Sequence, residues 1–118
     1  MIRSYHDLEV YQRSYDIALK MYQEVKKLPV EERYGLISQI KRASLSIPLN
    51  VAEGYGKKAS TAEFKRFLQM SMGSCNEMTV LISFCKDLGY FEEEKCRQLT
   101  IAYDEIGKML NVLITKWQ

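Results

Sequence analysis

Residues 39–68 read QIKRASLSIPLNVAEGYGKKASTAEFKRFL, and the rest of the chain is organised around this stretch. Ile40, Ser44, Ile47 and Val51 recur at steps of three and four, the spacing of one face of an α-helix. Gln39, Arg42, Ser46, Asn50, Glu53 and Lys57 form a polar stripe along another face of the same helix. Pro48 falls inside this pattern. It has no N–H to give the carbonyl of Ser44 and crowds that carbonyl with its ring, at a cost of about 3 kcal/mol. A bend that wraps the helix around a core is the expected result. Gly54 and Gly56 read as the helix stop, and Lys57 and Lys58 complement the negative end of its dipole. Ser60 with Glu63 matches the S-x-x-E capping box directly before a new apolar run that begins with Phe64. The stretch therefore reads as helix, stop and restart.

Working outward, the same reading gives two more helices. Upstream, a helix is expected from about residue 8 to residue 27, capped by Asp7. Leu8, Tyr11, Tyr15, Ala18, Tyr22 and Val25 form its core stripe, with Val10, Ile17, Met21 and Leu28 as a second apolar row beside it. Leu28 and Pro29 close it, and Glu31 and Glu32 suit the first turn of the next helix. Downstream, the helix opened by Ser60 should run to about Leu88, with Phe64, Phe67, Ser71, Cys75, Met78, Ile82 and Cys85 on one face. Small residues near its centre, Ser71, Gly73, Ser74 and Cys75, would let a neighbouring helix approach closely. Gly89 supplies a left-handed stop, with Tyr90 or Phe91 as its apolar cover. A last helix starts near Glu92, Glu93 and Glu94 and carries Leu99, Ala102, Tyr103, Ile106, Leu110, Leu113 and Trp117 on its face. Four long helices with short links predict an all-α, up-down-up-down four-helix bundle.

With 118 residues, the chain is the size of one domain, spanning 1–118. Its 47% hydrophobic and 27% charged residues are those of an ordinary globular chain rather than a disordered one. No window approaches the roughly 18 uncharged apolar residues of a membrane span, and the N-terminus lacks a secretory core, so a cytoplasmic location is expected and no membrane partner. Three cysteines, Cys75, Cys85 and Cys96, are an odd number without CxxC spacing, which predicts buried free thiols.

The formal charge is only +2, but it is unevenly spread. Residues 39–68 hold six basic side chains, Lys41, Arg42, Lys57, Lys58, Lys65 and Arg66, against Glu53 and Glu63. From residue 69 onward, acidic residues outnumber basic ones by seven to five.

Enzyme chemistry is not legible. A di-iron bundle needs Glu-x-x-His pairs from facing helices, whereas the one histidine, His6, precedes the first helix. It reads as a surface residue rather than as a base for a Ser or Cys nucleophile. Gly54 and Gly56 follow a helix and not a strand, so they are not a phosphate loop. Asn50 and Glu53 read as backbone partners near the proline more readily than as a polar site. Neither a catalytic residue, a metal nor a cofactor is expected.

The segments QIKRASLSIPLNVAEG (39–54), EFKRFLQMSMGSCNEM (63–78), CKDLGYF (85–91) and DLEVYQRSYDIALKMY (7–22) resemble a bacterial four-helix-bundle family. That family is known from reading frames in the intervening sequences of large-subunit ribosomal RNA genes. The motif positions are Ser46, Ile47, Pro48, Asn50, Ala52, Glu53, Gly54, Glu63 and Phe64. The resemblance implies a four-helix protomer and a ring-shaped homopentamer, similar to the accessory protein of diversity-generating retroelements, which is associated with nucleic acid and reverse transcriptase. Lys57 and Lys58 stand where the family often has arginine, which keeps charge but loses bidentate phosphate geometry.

Two functions follow as expectations. The first is a non-enzymatic oligomer that binds RNA or DNA backbone through Lys41, Arg42, Lys57, Lys58, Lys65 and Arg66, without base specificity. The alternative is a structural adaptor that recruits a protein partner such as a reverse transcriptase, through apolar surface on the broad first helix.

Overall fold

The computed structural model describes residues 1–118 and is all helical. Four α-helices span Glu9–Glu24 (α1), Leu36–Gly56 (α2), Thr61–Asp87 (α3) and Glu93–Lys116 (α4), with single 3-10 turns at Tyr5–Asp7, Val25–Lys27 and Val30–Glu32. Contacts fix the directions. Arg42 pairs with Glu77 and Ser71 with Ile47 between α2 and α3, so the two run antiparallel. Between α1 and α4, Arg13 meets Glu105 while the end of α1 meets the start of α4 through Glu24 and Lys95. The result is the four-helix bundle that the apolar spacing predicts.

One cluster of 23 buried residues drawn from all four helices forms the core. The expected face of α3 is buried throughout, from Phe64 to Cys85. In α4, Leu99, Tyr103, Ile106 and Leu110 are buried, and Cys96 joins them one turn earlier. All three cysteines are buried free thiols. Gly89 has the one positive φ, +78°. There Tyr90 N–H donates to the carbonyl of Cys85 at 2.8 Å, the bond that closes a Schellman stop, and Phe91 is the buried cover.

Several local expectations are corrected. Asp7 does not cap α1. Its carboxylate reaches backward to accept from the N–H groups of Arg3 at 2.7 Å and Ser4 at 3.2 Å, completing a capping box around the first 3-10 turn, and Leu8 precedes α1 without a side-chain cap. Both apolar rows of α1 reach the core: Val10, Ile17, Met21 and Leu28 are buried together with Leu8, Ala18 and Val25 of the expected stripe, whereas its tyrosines are not, Tyr15 being 48% exposed and Tyr11 and Tyr22 only partly covered. Tyrosine can sit at the rim because its ring packs while its hydroxyl stays wet. Glu31 and Glu32 lie in a separate turn, and α2 begins at Leu36, whose N–H donates to the Glu32 carboxylate at 3.2 Å. At α3, Ser60 accepts from Glu63 N–H at 3.2 Å, but the Glu63 carboxylate turns to Arg66, leaving half of the predicted box.

The largest correction concerns Gly54. It lies inside α2 and is buried, and a Cβ there would stand 2.7 Å from Phe67 Cβ and 3.1 Å from Phe64 Cδ1. Its role is close approach of α2 to α3, not termination. Gly73, by contrast, faces open space, so the small residues that bring α2 and α3 together are Ser71 and Ser74.

Two buried polar groups have opposite fates. Glu24, 8% exposed, accepts from Lys95 at 2.6 Å and Lys27 at 3.0 Å. Burial pushes its carboxyl up, but the two lysines outweigh burial and hold it below the usual range. Tyr103, 1% exposed, leaves its hydroxyl with no partner, and burial drives that phenol far above its ordinary value. An unpaired buried hydroxyl costs about 1–3 kcal/mol. Tyr103→Phe should therefore raise stability by about 1 kcal/mol, read from the midpoint of urea unfolding; a loss of stability would show that the hydroxyl has a partner in solution.

Candidate nucleic-acid interface

The end of the bundle where α2 gives way to α3 is built around aromatic rings. Lys57 N–H and Lys58 N–H donate to the carbonyls of Gly54 and Tyr55 at 2.9 and 3.1 Å, so the chain turns within a few residues and re-enters α3 at Thr61. Phe64 is fully buried beneath this turn, with Tyr55 edge-on at 6.1 Å and Trp117, just past the end of α4, edge-on at 4.7 Å. Because Gly54 has no side chain, α2 lies directly on Phe64 and Phe67.

Cations cover these rings. The Lys58 ammonium stands 4.2 Å from the centre of Tyr55 and donates to its hydroxyl at 2.9 Å. Phe67 has Lys57 at 5.7 Å and the Arg66 guanidinium at 4.6 Å. Such contacts hold a flexible cation in place for about 0.5–1 kcal/mol at exposed sites. Lys65 lies in the first turns of α3. The apolar face of α4 runs on to Trp117, which packs on this end of the core.

The six basic residues singled out in the sequence do not form one patch. Lys41 and Arg42 stand about 22 Å up α2 from the turn, and they point to opposite sides. Lys41 lies over the Tyr22 ring of α1 at 5.2 Å, whereas Arg42 is paired with Glu77 of α3 and with Gln39 at 3.0 Å. Lys57 and Arg66 meet over the Phe67 ring and Lys58 stands over Tyr55, while Lys65 is only near them in sequence, in the first turns of α3. Within this group Arg66 is held by both oxygens of Glu63, at 3.0 and 3.3 Å, and the same contact holds the Glu63 carboxyl below its usual range. Lys57, Lys58 and Lys65 enter none of the ion pairs of the chain. They are the positive charges free to meet a phosphate.

The remaining motif residues lock α2 to α3. Asn50 Nδ2 donates to the carbonyl of Ser46 at 2.8 Å. Ser46 Oγ donates to Ala43 O at 3.1 Å and also contacts Ser74 Oγ, while Ser71 Oγ donates across the interface to Ile47 O at 2.9 Å. Backbone carbonyls in the turns preceding Pro48 thus gain side-chain partners, and α2 continues as a helix through the proline. Glu53 is exposed and takes no part, so Asn50 and Glu53 do not compose a shared site.

A model of the 23S rRNA-intervening sequence protein family matches residues 6–112. The chain belongs to this family. No curated protein matches it. In this family member the motif is architectural: Ser46, Pro48, Asn50, Gly54, Ser60 and Phe64 all contribute to the α2–α3 contact or to the turn that joins the two helices.

Other groups offer less chemistry. An open groove of about 530 Å³ between α3 and α4 is lined by Cys75, Asn76, Tyr103, Asp104 and Lys108, among others. Burial, and then the charge of Asp104, pushes the Cys75 thiol up to about 12; burial brings Cys85 to about 11. Both stay protonated near neutral pH, the unreactive form. His6 is exposed, stacked on Tyr5 at 4.2 Å. No three His, Cys, Asp or Glu side chains converge as a metal site would require, and no helix is long and apolar enough to cross a membrane.

Proposed function

We propose that this member of the intervening-sequence family is a non-enzymatic module that binds the backbone of RNA or DNA through the basic end of its bundle, as a homo-oligomer. The observation that carries the reading is the pair of lysines at the α2–α3 turn, Lys57 and Lys58, which enter no salt bridge and are seated on the rings of Phe67 and Tyr55, with Lys65 following in the first turns of α3. Ammonium groups contact phosphate as point charges, which gives affinity without reading bases. A ring of copies, as the family resemblance implies, would repeat the patch and multiply its avidity. Apolar surface supports self-association: Leu45 and Leu49 on α2, and Met70, Val80 and Phe84 on α3, are each more than two-fifths exposed.

Charge reversal tests this directly. Lys57→Glu with Lys58→Glu and Lys65→Glu should weaken binding to nucleic acid at low salt at least tenfold, with helical content and mass in solution unchanged. Unaltered binding would remove this end of the bundle from consideration. Lys41→Glu, remote from the turn, is the control expected to matter little.

A second reading, an adaptor for a protein such as a reverse transcriptase, is favoured by one observation. On α1, Tyr15 and Leu19 leave 48% and 56% of their surface exposed, one turn apart on a face with room for a partner. Pull-down after nuclease treatment separates the two: a partner retained without nucleic acid supports the adaptor.

A further inference from the structure

The aromatic rings at the basic end point to which form of nucleic acid it takes. Proteins that hold single strands combine a basic groove with exposed rings on which successive bases stack. Here three of the four rings are buried, and the fourth, Trp117, is partly covered. Tyr55, Phe64 and Phe67 are 7%, 0% and 6% exposed. The faces of Tyr55 and Phe67 carry Lys58, Lys57 and Arg66. Trp117 is set edge-on against both Phe64 and Tyr55, at 88° and 70° between ring planes.

We infer that the ligand of this site is a double helix, RNA or DNA, held by its phosphates, and not a single strand held by its bases. The inference rests on the nucleic-acid reading above and narrows it. The rings act as seats for the lysines: they fix where each ammonium stands, so the cations lose little freedom when they meet phosphates held at regular spacing. A duplex presents such an array and hides its bases. A flexible single strand must be ordered on binding, and here it finds only the partly covered Trp117 ring, not a row of exposed rings, to compensate.

Trp117 is the one tryptophan of the chain, which provides a direct readout. Binding of the purified full-length chain would be followed by fluorescence anisotropy at low salt. The probes are labelled random-sequence DNA and RNA duplexes of about 20 base pairs and oligo(dT) and oligo(U) with matched phosphate number. Intrinsic Trp117 emission is recorded in parallel with unlabelled samples of the same oligonucleotides. Single strands carry a lower charge density, so a few-fold preference for duplex would arise from any basic surface. The expected result is a preference of at least tenfold at low salt, narrowing as salt is raised because duplex binding releases more counterions, with Trp117 emission unquenched by either form. Single strands that bind within a few-fold of duplex, or that quench Trp117, would overturn the inference and leave the backbone reading in place. No binding by any probe would overturn both. The DNA and RNA arms show which duplex is preferred. Lys57→Gln with Lys58→Gln should lose the duplex preference, its fold checked by unchanged helical content.

Discussion

Replacing Gly54 with alanine is expected to destabilise the bundle by about 2 kcal/mol, although alanine is the better helix former by about 1 kcal/mol. The added Cβ would stand 2.7 Å from Phe67 Cβ, with Phe64 Cδ1 at 3.1 Å and Phe64 O at 3.3 Å. These atoms are Cβ, ring and backbone of a buried helix, not the free end of a flexible side chain. Relief requires α2 and α3 to part, and cores forced to accept extra volume lose about 1–3 kcal/mol, occasionally more. Gly73→Ala supplies the comparison. That glycine also lies inside a long helix but meets nothing within 4 Å, so only the propensity gain remains, up to about 1 kcal/mol of added stability. Urea unfolding of the two variants should give shifts of opposite sign. A stabilised Gly54→Ala protein would show that the helices do not approach as closely as described.

Phe64→Ala should be more severe, at about 3–5 kcal/mol, the range for deleting a buried phenyl ring. Phe64 is fully buried and joins three elements: Gly54 of α2 lies on it, Tyr55 meets it edge-on, and the Trp117 indole packs against it at 4.7 Å. Loss of the ring leaves a void and frees the C-terminal end of α4 from its seat. The emission of Trp117 should therefore move to longer wavelength as water reaches the indole, in addition to the lower unfolding midpoint. Phe64→Leu, which fills most of the space, should lose far less stability. Equal losses for the two substitutions would mean that the ring is not the element that organises this end.

The two variants also explain a motif. Asn-x-Ala-Glu-Gly and Glu-Phe, ten residues apart in the chain from Gly54 to Phe64, are two halves of one contact. Spacing alone identifies the glycine as unusual within a helical run, but not why. A glycine followed by Gly56 and two lysines fits a helix stop equally well, and only its position against Phe64 and Phe67 separates close packing from termination.

The sequence by itself determined the four helices, because three- and four-residue apolar spacing is a local property of each segment. It also determined the buried face of α3, the left-handed stop at Gly89, the N-cap Ser60 and the burial of the cysteines. Where two apolar rows lay side by side, as on α1, both reached the core, but spacing did not show that the tyrosines among them would sit at the rim, where their hydroxyls find water or a partner. The tertiary structure alone decided the candidate site. Charge counted along residues 39–68 merged side chains that α2, rising about 1.5 Å per residue, carries apart. Lys41 and Arg42 were lost from the patch to Tyr22 and Glu77, and Arg66 was matched by Glu63. Periodicity records which face of its own helix a residue occupies, whereas a binding surface depends on which helices lie side by side and which charges their neighbours neutralise.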